Sequence, residues 1–233
     1  MTTEQTSNGD FEPEENAAVE AAVAGTDLDD VLFIGTALAP FFLEDPHTGD
    51  ARASFEALAA LDAEAAGEDW PFVDTEEARS ALRHMQEGLA AGIDDEDLMW
   101  AYRRLFVGPG RLVAPPWGSV YTDHECVIFG ESTLDLRAWM RDHGIERITD
   151  ERTPEDHIGL MLAMLSFLVQ ERPELVDEYA ADHLLTWAPH YLEQLEQAAE
   201  HPFYEGLARL TRRSLEGLQQ ERQLDVTVPR FYR

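Results

Sequence analysis

The sequence predicts an all-α protein on three observations. Apolar residues recur at helical spacing along most of the chain, capping and stopping residues punctuate those runs, and no alternating strand pattern lasts more than a few residues. The expectation is a single helical domain of about nine or ten helices with one long apolar, proline-rich loop. It would span residues 26–222, between a mobile acidic segment at 1–25 and a tail at 223–233.

Thr26 or Asp27 can cap a first helix carrying Leu28, Val31, Leu32, Ile34, Leu38, Phe41 and Phe42, which must end before Pro46. An alanine-rich run from Phe55 to Ala65, with Leu58 and Leu61 on one side, reads as a second helix, broken by Trp70, Pro71 and Phe72. Asp74 or Thr75 caps a third, Glu76 to Ala91, stopped at Gly92, and Asp94 starts a fourth through Trp100 and Tyr102. Further on, Ser132 and Thr133 open a helix that buries Leu134, Leu136, Trp139 and Met140 and ends at His143 and Gly144. Thr153, Pro154, Glu155 and Asp156 look like a helix start, with a capping threonine, proline at the first position and a carboxylate three residues after the cap. From Ile158 to Val169 the apolar residues cover more than one face, so that helix should run through the middle of the domain. Helices around 175–185, 189–199 and 202–222 complete the chain.

The stretch around which the rest is organised is YRRLFVGPGRLVAPPWGSVYTDHECVIFG, residues 102–130. Gly108, Pro109 and Gly110 stop the fourth helix, and Pro115 and Pro116 hold the following chain extended. Trp117, Val120 and Tyr121 come where most surface loops are polar, so the loop must lie against something. It either plugs the protein's own core or forms the wall of a groove for an apolar partner.

Against 47 acidic residues stand only 17 basic ones, all arginine, giving a net charge of -30. Such a surface repels polyanions, which disfavours nucleic acid and anionic membrane as partners. An excess spread along the whole chain destabilises the compact state unless salt screens it, and the screening length falls to about 3 Å at 1 M salt. The composition therefore fits a halophilic protein of a salt-rich cytoplasm, and equally an acidic surface that attracts a basic client. The lone Cys126 forms no intramolecular disulfide, His124 beside it makes too small a donor set for a metal site, and no cofactor is expected. No run approaches the roughly 18 apolar residues of a membrane span, and the N-terminus lacks the basic start and apolar core of a signal peptide, so a cytoplasmic protein is expected. Phosphate-binding, HExxH, GxSxG and paired Cys-x-x-Cys motifs are all missing, which counts against an enzyme. Asp156 and His157 can be read as a helix cap with a packed neighbour, or as an anionic acceptor and a titratable donor at the mouth of a groove.

The segments LFVGPGRLVAPPWGSVYTDHECVIFGESTLDLRAWMRDHGI, TPEDHIGLML and HLLTWAPHYLEQLEQAAEHPFYEGLARLT resemble the TorD/DmsD family of redox-enzyme maturation chaperones, most closely its DmsD branch. The resemblance covers roughly residues 98 to 215. It implies a cytoplasmic, non-enzymatic helical chaperone that binds the twin-arginine leader of the apo catalytic subunit of a molybdenum-cofactor oxidoreductase. Export would be delayed until cofactor insertion and folding are complete. By the same resemblance the leader site draws on Leu105, Phe106, Gly130, Asp156 and His157, with Tyr102 where close relatives can carry tryptophan. Gly110 departs from the pattern, which places tryptophan directly after Gly-Pro, so the anchor aromatic has no fixed place and Trp117 is the candidate for it. Two alternatives accompany this reading. One is an assembly chaperone of the same fold for a non-exported, nitrate-reductase-type molybdoenzyme. The other is a nucleotide hydrolase using Asp156 and His157, prompted by guanine-nucleotide binding in the family, although the acidic surface has little with which to grip a triphosphate.

Overall fold

Glutamate and alanine are strong helix formers, and the run PEENAAVEAAVA carries the first helix further toward the N-terminus than its apolar pattern suggests. In the computed structural model, which describes residues 13–48, 51–108, 110–147 and 153–233 and the side chains from Leu28 onward, α1 spans Pro13–Leu43. Thr26 and Asp27 thus lie inside this helix rather than capping it, and the expected mobile segment falls outside the described residues over 1–12. The end before Pro46 is as the sequence predicts.

The expected helix over 55–65 is two helices, α2 (Arg52–Ala60) and α3 (Ala63–Glu68). Leu61 is extended between them, because the Asp62 carboxylate accepts from the backbone N–H groups of Glu64 and Ala65 and restarts the helix there. Asp74 caps α4 (Thr75–Gly88) through the N–H groups of Glu76 and Glu77, as predicted. Asp94 does not start α5 (Glu96–Tyr102); its carboxylate is taken by Arg52 at 2.7 Å. From α5 the chain widens into a π-helical turn, Arg103–Val107, and leaves it at Gly108, whose φ of 99° a side chain would disfavour.

A single turn, α6 (Ser119–Thr122), follows the proline-rich loop, and then α7 (Glu131–Asp142). Thr133, Leu136, Trp139 and Met140 face inward, whereas Leu134 is exposed on the opposite side, against expectation. The predicted helix start at Thr153 is also corrected. Residues 153–157 form a turn, α8 (Ile158–Glu171) begins at Ile158, and its N-cap is His157. The segment predicted as one helix over 175–185 is a 3-10 turn (Pro173–Leu175), α9 (Val176–Tyr179) and a second π-helical turn (Ala180–Leu184). Finally, α10 (Ala188–Ala198) and α11 (Pro202–Glu221) lie close to their predicted spans.

α1 packs along α8, and α11 packs along both α4 and α10. The core runs from Val31 to Leu218 and is rich in fully buried aromatic side chains, among them Tyr121, Tyr179, Trp187, Tyr191 and Tyr204. α8 is central on one face only: Met161, Leu162, Leu165 and Leu168 are buried, while Phe167 is 40% exposed. Among the described residues no strand forms, only an isolated bridge between Trp117 and His157, and no helix is long and apolar enough to cross a membrane.

Candidate functional site

Buried backbone polar groups need partners, and this requirement joins the proline-rich loop to the start of α8. Ile158 N–H donates to Pro116 O at 2.9 Å and Gly118 N–H donates to Asp156 O at 3.1 Å. That short ladder sets the Trp117 and His157 rings edge to face, with centroids 5.8 Å apart. Asp156 does cap a helix, but not the one that follows it: its Oδ2 accepts the N–H of Ser119, the first residue of α6, at 2.7 Å. Asp156 is 1% exposed, and no donor among the described residues reaches its Oδ1.

His157 is buried as well, and its Nδ1 accepts the Gly159 N–H at 3.2 Å, which places the proton of the neutral ring on Nε2. Burial pushes the imidazole down to about 3, so a cationic role for this ring at neutral pH is set aside. The sign of the pH effect follows. The unfolded chain gains a proton near pH 6.5 and the folded one does not, so the stabilisation is complete above that value and is lost as pH falls. Between pH 7 and pH 5 the loss from this one group is about 2 kcal/mol. Urea unfolding of His157→Asn, which keeps a capping acceptor but cannot titrate, will show a correspondingly smaller drop over that interval. Equal drops in the two proteins would mean that His157 is solvated.

The proline-rich loop serves both of the purposes expected of it. Ala114, Pro115, Pro116, Val120 and Tyr121 are buried and plug the core. On its other side the loop forms a groove of about 580 Å³ with a largely apolar lining that includes Val107, Pro115, Trp117, Val120, Val127 and Ile128. Val107, Val127 and Ile128 of this lining are exposed, as are Val113 and Phe129, which adjoin lining residues along the chain. Contiguous apolar surface of this kind marks a place where something binds.

One wall of the groove comes from the tail, which sequence reasoning did not place there. Tyr232 N–H donates to Tyr121 O at 2.9 Å. Arg233 Nη2 donates to the carbonyls of Leu112 (2.6 Å) and Val113 (2.8 Å). His190 closes the arrangement, with Nε2 at 2.8 Å from Arg233 O and its ring stacked on Phe231 at 4.0 Å. The apolar side chains of Val226, Val228, Phe231 and Tyr232 in a short tail were the available signal, but they could not say where the tail docks.

The remaining site residues of the sequence analysis lie elsewhere. Tyr102, Leu105 and Phe106 are buried; Phe106 packs on Tyr102 (5.1 Å), Tyr204 (5.7 Å) and Phe42 (6.0 Å), fixing α5 against α1 and α11 from inside. Their link to the groove is Val107, the next residue, which lines it. Gly130 is buried too. A Cβ there would come within 2.6 Å of Asp123 Oδ2, the oxygen that accepts from Glu131 N–H at the start of α7, so glycine lets the loop close on that carboxylate. Gly110 and Trp117 both line the groove, which leaves Trp117 as its large aromatic. His124 and Cys126 both lie against the tail, the His124 ring 5.4 Å from that of Tyr232 and Cys126 Sγ 3.7 Å from Tyr232 O.

Comparison with known proteins now adds relatives to this geometry. The family described as nitrate reductase delta subunit matches residues 74–201. The chain is 44% identical over 149 residues to the probable Tat proofreading chaperone DmsD of Haemophilus influenzae, covering 64% of this chain and 71% of that protein. It is 41% identical over 140 residues to the Tat proofreading chaperone DmsD of Salmonella typhi, covering 60% and 69%. To the chaperone protein TorD of Vibrio cholerae it is 27% identical over 153 residues, covering 59% and 69%. The match over residues 74–201 takes in the proline-rich loop, Trp117 and the Asp156–His157 turn, and with it this chain belongs to the nitrate reductase delta subunit family, that of the TorD and DmsD chaperones.

Proposed function

We propose that the protein is a proofreading chaperone that binds the twin-arginine leader of a redox-enzyme catalytic subunit, and holds the apo subunit back from export until its molybdenum cofactor is in place. The observation that carries this reading is the open apolar groove beside Trp117 and the Asp156–His157 turn, in a chain 44% identical over 149 residues to a relative named as a probable Tat proofreading chaperone. A leader of this kind joins two arginines to an apolar stretch, and an apolar groove on a protein of net charge -30 suits both parts. A chaperone that must release its client needs only moderate affinity, about 1 μM or 8 kcal/mol. In a salty cytoplasm the apolar contacts supply most of that, and charge sets the register. The relatives' chaperone names support a non-enzymatic, cytoplasmic role.

Calorimetric titration at high salt, with a twin-arginine leader peptide of a molybdoenzyme beside a copy with both arginines changed to glutamine, tests the proposal. Saturable binding of the native leader is expected, with weaker binding of the copy. No binding of either by folded protein overturns it. The description of the matching family favours one second reading, a nitrate-reductase-type client that is not exported. That absence of binding to either peptide is the outcome this second reading predicts.

A further inference from the structure

A second recess, of about 120 Å³, lies behind the Asp156–His157 turn and does not belong to the apolar groove. Ser132, Asp135 and Leu136 of α7 line one side, Asp182, His183 and Thr186 line another, and Asp156 is also part of the lining. Three carboxylates thus face one small space that no arginine lines. Asp135 and Asp182 are exposed, whereas Asp156 is buried with its Oδ1 unpartnered. A buried carboxylate oxygen without a donor is costly, and the carboxylate that carries it belongs to the lining of the recess, where a donor can be brought from outside. Burial holds the His183 imidazole below its ordinary range, which leaves the recess without a positive group of its own at neutral pH.

The apolar groove has the opposite character. Its charged lining residues are Arg111, Arg233 and Glu125, so it lacks the group of carboxylates that lines the recess. Partners for a client's arginines are therefore more plentiful at the recess, with three carboxylates against one in the groove lining. The two sites meet where Trp117, which lines the groove, packs on His157, the neighbour of Asp156.

Resting on the leader-binding reading above, we propose that this recess takes the guanidinium of one leader arginine while the groove takes the apolar stretch, so that the leader binds in one direction only. A guanidinium is planar, carries five N–H donors and pairs with carboxylates in a fork, which suits a small space with a carboxylate at its floor and two more at its mouth. Asp135 and Asp182 are then specificity residues that neither the sequence nor the comparisons single out.

The test is the variant Asp135→Asn/Asp182→Asn, two changes at exposed positions that leave the core untouched. It is titrated with the native leader and with the glutamine copy at low and high salt. The variant will bind the native leader about five- to tenfold more weakly than the parent at low salt, less so at high salt, and the glutamine copy as the parent does. An unchanged affinity for the native leader, or an equal loss for both peptides, overturns the recess as an arginine site while the leader-binding reading stands. Should the parent bind neither peptide, that reading fails, and acetyl-arginine amide followed by NMR decides the recess alone. Shifts at His183 and the Trp187 indole that disappear in the variant support it, and their absence in the parent overturns it.

Discussion

Phe106→Ala will unfold at a temperature roughly 6 to 20 °C below the parent, because a large-to-small change at a buried ring costs about 3–5 kcal/mol and each kcal/mol is worth about 2–4 °C in a chain of this size. The ring is 7% exposed and touches three other aromatics, from α1, α5 and α11, so its loss opens a cavity where three elements meet. A reading of this residue as a peptide contact makes the opposite forecast, weaker leader binding at unchanged stability. Thermal unfolding beside peptide titration of the same preparation separates the two. A variant that keeps its melting temperature and loses affinity would show that the ring faces the client. If stability falls and affinity per folded molecule holds, the ring serves the fold and does not contact the client.

Leu165→Ala will cost about 2–5 kcal/mol, measured as a lower urea midpoint at unchanged slope. Leu165 is fully buried at mid-length in α8, the helix that packs along α1, and neither neighbour can fill the space without moving a helix. Phe167, two residues on and 40% exposed, is the control: its truncation removes a larger side chain and should cost under about 1 kcal/mol. If the two variants were equally destabilised, the faces of α8 would be assigned the wrong way round. Leader affinity is expected to stay at the parent's value in both, since neither residue lines the groove.

The sequence was legible wherever a structural choice is made within about one helical turn. Asp74 caps α4 as read, because a short carboxylate before a helix reaches the N–H groups two and three residues on. Asp62 obeys the same rule and was missed, since alanine and leucine on both sides imitate one uninterrupted helix. Thr153 to Asp156 imitate a helix start just as well. There the competing interaction is distant: Asp156 caps α6, 37 residues back along the chain, and the turn it occupies is fixed by the pairing with the loop at Pro116 and Gly118. A capping pattern shows what a residue can hold and leaves open which backbone group it will meet.

Of the candidate site, the sequence pointed to the apolar loop, Trp117 and the Asp156–His157 pair, because prolines and large apolar side chains are out of place on a free loop and a carboxylate with a histidine stands directly before a very apolar helix. It could not separate Phe106, whose ring is internal, from Val107, whose side chain lines the groove, since a π-helical turn shifts the facing of residues by an amount that no helical period predicts.

By itself the sequence determined the helical class, most helix ends, the acidic surface and the loop that must be covered. These follow from backbone preferences, short-range hydrogen bonds and charge, which depend on neighbours along the chain. Only the tertiary structure decided that His157 is neutral, that Asp156 keeps one oxygen without a donor, and that the tail walls the groove through Arg233. Burial and long-range pairing exist only once segments more than 30 residues apart have closed on each other, and desolvation then fixes the charge and the partners of each group.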